Sequence, residues 1–253
     1  MKCVIFQAAL ELGVEIKGEN WFPGDTLHGV FKIINGTNEA FSLANIEMRI
    51  GHGNIKKVKD NPVQAIKTLS PISLESDKTI AAGEACSIDW SFTLPDTAPI
   101  TDKASSLFVH FFDSTQCEKN GLLQLAVEPR PYVSEFLRLF DHFFRFHIKD
   151  KKQKQDWIEV KMEPPKSKDF AGVEKLMLKI KNEKEILELH YAFTLKKLDY
   201  VKGGEVSMQK KPLDLKYALS GSEFLMGKDM VDQDKVIAHL SSVLNEVKLK
   251  TTY

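Results

Sequence analysis

Residues 21–33 read WFPGDTLHGVFKI, and this stretch decides the fold because it joins a strand end, a tight turn and a second strand. Pro23 presets φ at the first central turn position, and Gly24 can adopt the positive φ of the next. The Asp25 side chain can accept hydrogen bonds from the turn backbone. The residues that follow are rich in apolar, β-prone side chains. The stretch therefore predicts a β-hairpin in a chain built from strands.

Strand-like segments recur on both sides of this hairpin, with turn residues between them. The clearest is residues 88–94, where apolar and polar side chains alternate as in a half-buried strand. The segment 95–101 contains two prolines, which lack ladder donors, so it cannot be a central strand. Residues 51–61 are polar and rich in lysine, and they predict a mobile loop or hairpin tip. Roughly seven or eight short strands within about 130 residues predict a β-sandwich.

Composition limits the classes of function that fit the chain. The 253 residues exceed one typical domain of about 150 residues, which favours two domains. Thirty-five basic side chains balance 35 acidic ones, so the chain lacks the overall positive field that favours nucleic acid. Cys3, Cys86 and Cys117 are widely spaced and odd in number, which argues against a disulfide framework. We expect a protein of a reducing compartment that does not bind nucleic acid.

The sequence also bears on membranes and secretion. The apolar run over residues 3–10 ends at Glu11 and lacks the small-residue cleavage pattern of a secretory signal. No stretch approaches the ~18 apolar residues of a membrane span. We therefore predict a cytoplasmic protein without an integral membrane segment, for which peripheral contact with a membrane stays open.

An ordered set of motifs carries a family resemblance, at residues 22–25, 29–30, 79–84, 88–95, 98–101, 107–110 and, in the second half, 170–176. In this order the motifs resemble the arrestin fold, in the branch of the bacterial sporulation-control proteins. The resemblance implies two arrestin-like β-sandwich domains and a role in controlling cell physiology, in sporulation or stress. Residues 111–116, FFDSTQ, depart from the family's charged, Asp-bearing strand, so the family's partner preference is not carried over.

The domain boundaries follow from a change of period in the middle of the chain. Pro129 and Pro131 end the last strand of the first domain, because neither can donate to a ladder. Residues 132–144 then place apolar side chains at helical spacing. We predict an N-terminal sandwich over 1–131, a connecting helix over 132–144, and a C-terminal sandwich over 145–253 that ends in a helix at 231–249. The phenylalanine-rich stripe of the connecting helix could dock a partner, but we favour packing against its own domains.

The sequence contains few residues in patterns that indicate a catalytic or metal site. His142 and His147 are five residues apart across a change from helix to strand, and the other five histidines have no cysteine or carboxylate at metal-ligand spacing. A lone histidine in a strand is usually structural. The short motifs at 51–53 and 220–222 lack the context of a phosphate loop or a hydrolase nucleophile. Cys86 and Cys117 have no adjacent cationic cluster that would lower a thiol pKa. We therefore predict no catalytic, cofactor or metal site.

The leading hypothesis is a non-enzymatic, arrestin-like regulatory or scaffold protein that acts by binding protein partners. We expect a monomer or weak homo-oligomer, and we predict contact through Lys56, Lys57 and Lys59 of the polar 51–61 segment. One alternative is a cargo adaptor like the arrestin-fold subunit of retromer. Another is a sandwich that binds or hydrolyses a small ligand at a site built from distant loops.

Overall fold

A computed structural model describes residues 1–7, 9–74, 77–115, 119–183, 186–200, 206–227 and 229–251. The chain forms two compact units, Met1–Glu128 and Pro129–Tyr253. Of the cysteines discussed above, Cys3 and Cys86 are free thiols, whereas Cys117 lies outside the described residues.

The first unit is built mostly from strands. Its elements are β1 (Lys2–Gln7), β2 (Leu10–Ile16), β3 (Asn20–Trp21), β4 (Thr26–Asn35), β5 (Phe41–Ser42), β6 (Ile46–Asn54), α1 (Ile55–Asp60), α2 (Pro62–Ala65), β7 (Ile66–Pro71), β8 (Thr79–Ile80), β9 (Ala85–Thr93), β10 (Ser105–Asp113) and β11 (Gly121–Val127). A sheet of order β1-β2-β4-β9 and a sheet of order β3-β11-β10-β6-β7 enclose one apolar core. The small pair β5-β8 completes the unit. The predicted β-sandwich is confirmed here.

The turn at residues 22–25 forms as predicted, but the hairpin does not. The amide of Phe22 donates to the Asp25 carboxylate over 2.8 Å, and Gly24 has a φ of 90°. However, β3 pairs in parallel with β11, whereas β4 pairs with β2 and β9 in the other sheet. The turn therefore carries the chain from one sheet to the other. The hairpin prediction is wrong because the buried ring of Trp21 anchors β3 in the core beside β11.

The second unit contains one large antiparallel sheet. Its elements are α3 (Pro131–His142), β12 (His147–Lys154), β13 (Trp157–Glu163), β14 (Val173–Glu183), β15 (Ile186–Tyr200), β16 (Val206–Ser220), α4 (Gly221–Phe224), β17 (Leu225–Gly227), β18 (Met230–Val231) and α5 (Gln233–Thr251). Strands β12 to β16 follow one another in a simple meander, and β17 pairs with β18. A 3-10 turn at Lys168–Phe170 precedes β14.

Helices supply the layer opposite this sheet in the described part of the second unit. Side chains of α3 and α5 share one apolar core with the inward-facing side chains of β13 to β16. Tyr191 of β15 lies at the centre, and its hydroxyl is 3.0 Å from the His239 ring of α5. The predicted fold class, mostly strands with few helices and a C-terminal helix, is confirmed. Two strand layers were expected over 145–253, yet the apolar stripes of α3 and α5 cover the sheet instead.

The phenylalanine stripe of α3 is mostly internal to this unit. Phe136 and Phe140 are almost fully buried, and the Phe140 ring lies 5.1 Å from Phe146 and 6.2 Å from Tyr191. Phe143 at the end of the helix is 58% exposed. The stripe therefore stabilises the second unit as part of its apolar core. This agrees with the favoured interpretation of the sequence, in which the helix packs against its own domains.

We expect replacement of Phe140 by alanine to lower the free energy of unfolding by about 3–5 kcal/mol, because it removes a buried ring and leaves a cavity. The matched variant Phe143→Ala removes an exposed ring of the same size and should cost less than about 0.5 kcal/mol. Urea denaturation followed by circular dichroism measures both. Equal losses in the two variants would contradict the burial described here.

Candidate protein-binding surface

The predicted contact residues lie above a strand that is buried on both faces. On β10, Leu107, Val109 and Phe111 face the sandwich core. The alternate residues Phe108 and His110 face outward, yet they too are buried. A sheet face that carries such side chains must be covered by another layer.

The cover is the helical segment α1–α2. Val58 of α1 is 1% exposed and packs with Ile66 and Phe108 in a small apolar cluster. The helix can approach because Gly53 lies beneath it: a β-carbon on Gly53 would come within 2.5 Å of the Val58 side chain. Gly51 makes similar room for the first residue of β7, since a β-carbon on Gly51 would come within 2.3 Å of the Ile66 side chain. The segment is therefore closely packed onto the sheet.

Local hydrogen bonds define where each helix of the cover begins. The side chain of Asn54 caps α1 by accepting from the amides of Lys56 and Lys57, over 3.1 and 3.2 Å. Asn61 caps α2 in the same way through the amide of Gln64. Of the two structures predicted for residues 51–61, the mobile loop is therefore wrong. The hairpin tip is correct in position, because the segment leads out of β6 toward β7, which pairs with β6 in antiparallel fashion. Polar composition suggested a loop, but Val58 anchors the helix in the apolar cluster, and Ile55 packs beside it.

Lys56, Lys57 and Lys59 all lie on α1 and are exposed. In the described part of the chain, no carboxylate oxygen lies within 4.0 Å of their ammonium groups. We call these three lysines the α1 surface. Their backbone is fixed by Val58 and Asn54, so the structure presents them on a folded element.

Polar contacts beneath the cover tie it to the sheet as well. Arg49 of β6 donates to the carbonyl of Val63 in α2 over 3.0 Å and to the hydroxyl of Thr68 in β7 over 3.3 Å. Its Nε donates to Nδ1 of His110 over 3.1 Å. Its guanidinium also lies 5.5 Å from the centre of the Phe112 ring. Arg49 therefore joins three elements of the outer face.

The contacts of His110 fix its protonation state. Because Arg49 can only donate, Nδ1 of His110 must accept, and the proton of the neutral ring lies on Nε2, 2.8 Å from Oδ1 of Asn120. Burial lowers the pKa of His110 from 6.5 to about 4, with the charge of Arg49 acting in the same direction. His110 is thus a neutral structural bridge, consistent with the expectation for a lone histidine in a strand.

Sequence reasoning missed Arg49 and the cover above it. The available signal was the run LFVHFF at residues 107–112, which lacks the polar alternation of a half-exposed strand. Such a run indicates that both faces are covered. Nothing in the spacing of Arg49 along the chain pointed to His110.

The described residues offer little for chemistry. They contain no group of three or more His, Cys, Asp or Glu side chains that could hold a metal ion. Burial raises the pKa of the Cys3 thiol, which disfavours the nucleophilic thiolate.

We expect stability to fall as the pH falls from about 6.5 to about 4, because the folded state binds a proton at His110 more weakly than the unfolded state does. The stabilisation is complete above pH 6.5, and its loss at this one group reaches about 3 kcal/mol. His110→Gln can keep both hydrogen bonds but does not titrate. Urea denaturation at pH 7, 5.5 and 4 compares the two proteins.

Burial also lowers the pKa values of His52 and His239, but both histidines are present in both proteins. The difference between the two proteins in how the free energy of unfolding changes with pH therefore reports on His110 alone. A wild-type curve with the same pH slope as His110→Gln would show that His110 is not held neutral.

Among the helices that the structure describes, none combines the length and the hydropathy of a membrane-spanning segment. A search of the curated proteins returned no match to the chain. A β-glucosidase from Listeria innocua in complex with gluconolactone has a TM-score of only 0.29, with 14% identity over 49% of this chain and 17% of that one. That similarity is too low to inform the fold or the function.

One solved structure is similar over nearly its whole length. The crystal structure of Spo0M, a sporulation control protein from Bacillus subtilis, matches with a TM-score of 0.67 and 16% identity, over 95% of this chain and 99% of that one. The model of the SpoOM protein family, Spo0M, matches residues 9–166, which is more than half of the chain. The resemblance to the sporulation-control proteins is confirmed, and the chain belongs to the SpoOM protein family.

Proposed function

We propose that this protein is a non-enzymatic regulatory protein that acts by binding a protein partner through the α1 surface. The observation that carries the proposal is the fixed placement of Lys56, Lys57 and Lys59, exposed on a helix that Val58 packs onto the sheet. A charged surface on an ordered element loses less conformational entropy on binding than the same residues in a loop would.

The chemistry of the α1 surface selects an acidic partner. Three ammonium groups without carboxylates within 4.0 Å in the described part of the chain leave positive charge for an opposing surface to neutralise. Such pairs accelerate association and set orientation, and salt screens them with a Debye length of about 10 Å at 0.1 M. Binding through the α1 surface should therefore weaken as salt increases.

Family membership supports a regulatory role. The Bacillus subtilis Spo0M whose fold this chain shares is described as a sporulation control protein. We extend that role to this chain as control of cell physiology of the sporulation type. The free thiols of Cys3 and Cys86 suit a reducing compartment, and we place the protein in the cytoplasm.

We expect a variant with Lys56→Glu, Lys57→Glu and Lys59→Glu to lose its protein partner, because an acidic surface would then repel it. Immobilised wild-type and variant proteins are exposed to lysate of the source organism, and retained proteins are quantified by mass spectrometry. A discrete protein should be retained at least about tenfold more by the wild type, corresponding to about 1.4 kcal/mol.

The matched control carries Lys161→Glu, Lys175→Glu and Lys211→Glu, three exposed lysines of the second unit with the same change of charge. It should retain the partner like the wild type, and both variants should keep the wild-type melting temperature within a few degrees. Equal retention by all three proteins would contradict the proposal. A retained small molecule with no protein would favour a ligand-binding function instead, with the concavity of about 410 Å³ beside Trp157 and His190 of the second unit as its site.

A further inference from the structure

A second surface lies on the other unit, around the loop of residues 164–167 between β13 and the 3-10 turn. Two adjoining concavities, of about 600 and 540 Å³, share the wall formed by Glu163 and this loop. Arg145, His147 and Lys149 line the first, and Phe170 and Lys196 are among the residues that line the second. We call the pair the 164–167 groove.

The acidic side chains in the groove are already neutralised. Glu163 lies 2.9 Å from the ammonium group of Lys149, and Glu174 lies 2.7 Å from that of Lys210. The groove also contains cations with no carboxylate oxygen within 4.0 Å among the described residues, namely Arg145, Lys166, Lys168 and Lys196. The groove therefore has a positive charge that its own acids do not balance.

Arg145 stands at an unusual backbone position. Its φ is 60°, in the left-handed region, where α3 has ended and the chain turns toward β12. The turn is fixed because the buried Phe146 donates its amide to the carbonyl of Phe140 over 3.2 Å. Glycine or asparagine is usual at such a position, because other side chains are strained there. An arginine nevertheless occupies this position, and it lines the first concavity of the groove.

We propose that the 164–167 groove binds an extended segment of a protein partner that carries a phosphorylated side chain. The phosphate meets Arg145 and Lys166, because a guanidinium forms paired hydrogen bonds to a dianion and a lysine adds a point charge. Lys168 and Lys196 then face the continuing segment in the second concavity. The two joined concavities suit an extended chain.

The lining residues favour a peptide over a lipid surface. Insertion into a bilayer requires exposed large apolar side chains, and Phe170, the aromatic residue of the groove, is only 8% exposed. Pro164 and Pro165 restrict the loop that divides the groove, so the wall is ordered before the ligand arrives.

The test uses the full chain and three probes: a degenerate peptide library with a fixed central phosphoserine, the same library with serine, and vesicles of phosphatidylcholine with phosphatidylserine. Fluorescence anisotropy for the peptides and co-sedimentation for the vesicles measure binding. We expect the phosphoserine library to bind at least about tenfold tighter than the serine library. Arg145→Asn should remove that difference while it keeps or raises the melting temperature, because asparagine accepts a positive φ.

Two further variants make the result specific. Arg145→Lys keeps the charge and should lose only part of the preference, since it loses the paired hydrogen bonds. The variant with Lys56→Glu, Lys57→Glu and Lys59→Glu should bind the phosphoserine library like the wild type, so this inference can fail or succeed independently of the α1 surface. Equal binding of both libraries, an unchanged preference in Arg145→Asn, or binding to the vesicles alone would each overturn it.

Discussion

Strand β10 is buried on both of its faces, and much of the first unit is arranged to satisfy that condition. One face contributes to the sandwich core, and the other requires the α1–α2 cover. The cover in turn requires glycine at position 53, since a β-carbon there would collide with Val58, and the adjoining β7 requires glycine at position 51, where a β-carbon would collide with Ile66. His110 lies on the covered face and remains neutral, because a charged ring there would lack solvation and would face Arg49.

The same constraint places the proposed binding surface. Because Val58 must point toward the sheet, the neighbouring lysines of α1 point away from it, and Asn54 fixes where the helix begins. In the second unit a different constraint operates, since the buried Phe146 forces Arg145 into a left-handed conformation beside the 164–167 groove. In both units an apolar anchor determines where a cationic group is presented. For a protein proposed to act by binding, this arrangement lowers the entropy lost on association.

The sequence predicted features that depend on short-range patterns. The turn at residues 22–25, the strand character of the first unit and the helices near residues 132–144 and 231–249 follow from turn chemistry and periodicity. Prediction from the sequence was wrong where contacts between residues distant along the chain determine the structure. The hairpin after Trp21 was wrong because strand pairing depends on β11, more than 100 residues away. The prediction of a mobile loop over residues 51–61 was wrong because Val58 contacts Phe108 of β10. No local pattern marks the pairing of Arg49 with His110, or the left-handed conformation of Arg145.

Native-state hydrogen exchange of the cover tests the central claim most directly. The amides of Asn61 and Ala65 donate to the carbonyls of Lys57 and Asn61, each over 3.0 Å. If the cover is packed on β10, these amides should exchange at least about a hundredfold more slowly than in a free peptide, and Val58→Ala should remove most of that protection. Exchange at the rate of an unstructured peptide in the wild-type protein would show that the α1 surface is a mobile loop and would contradict the account.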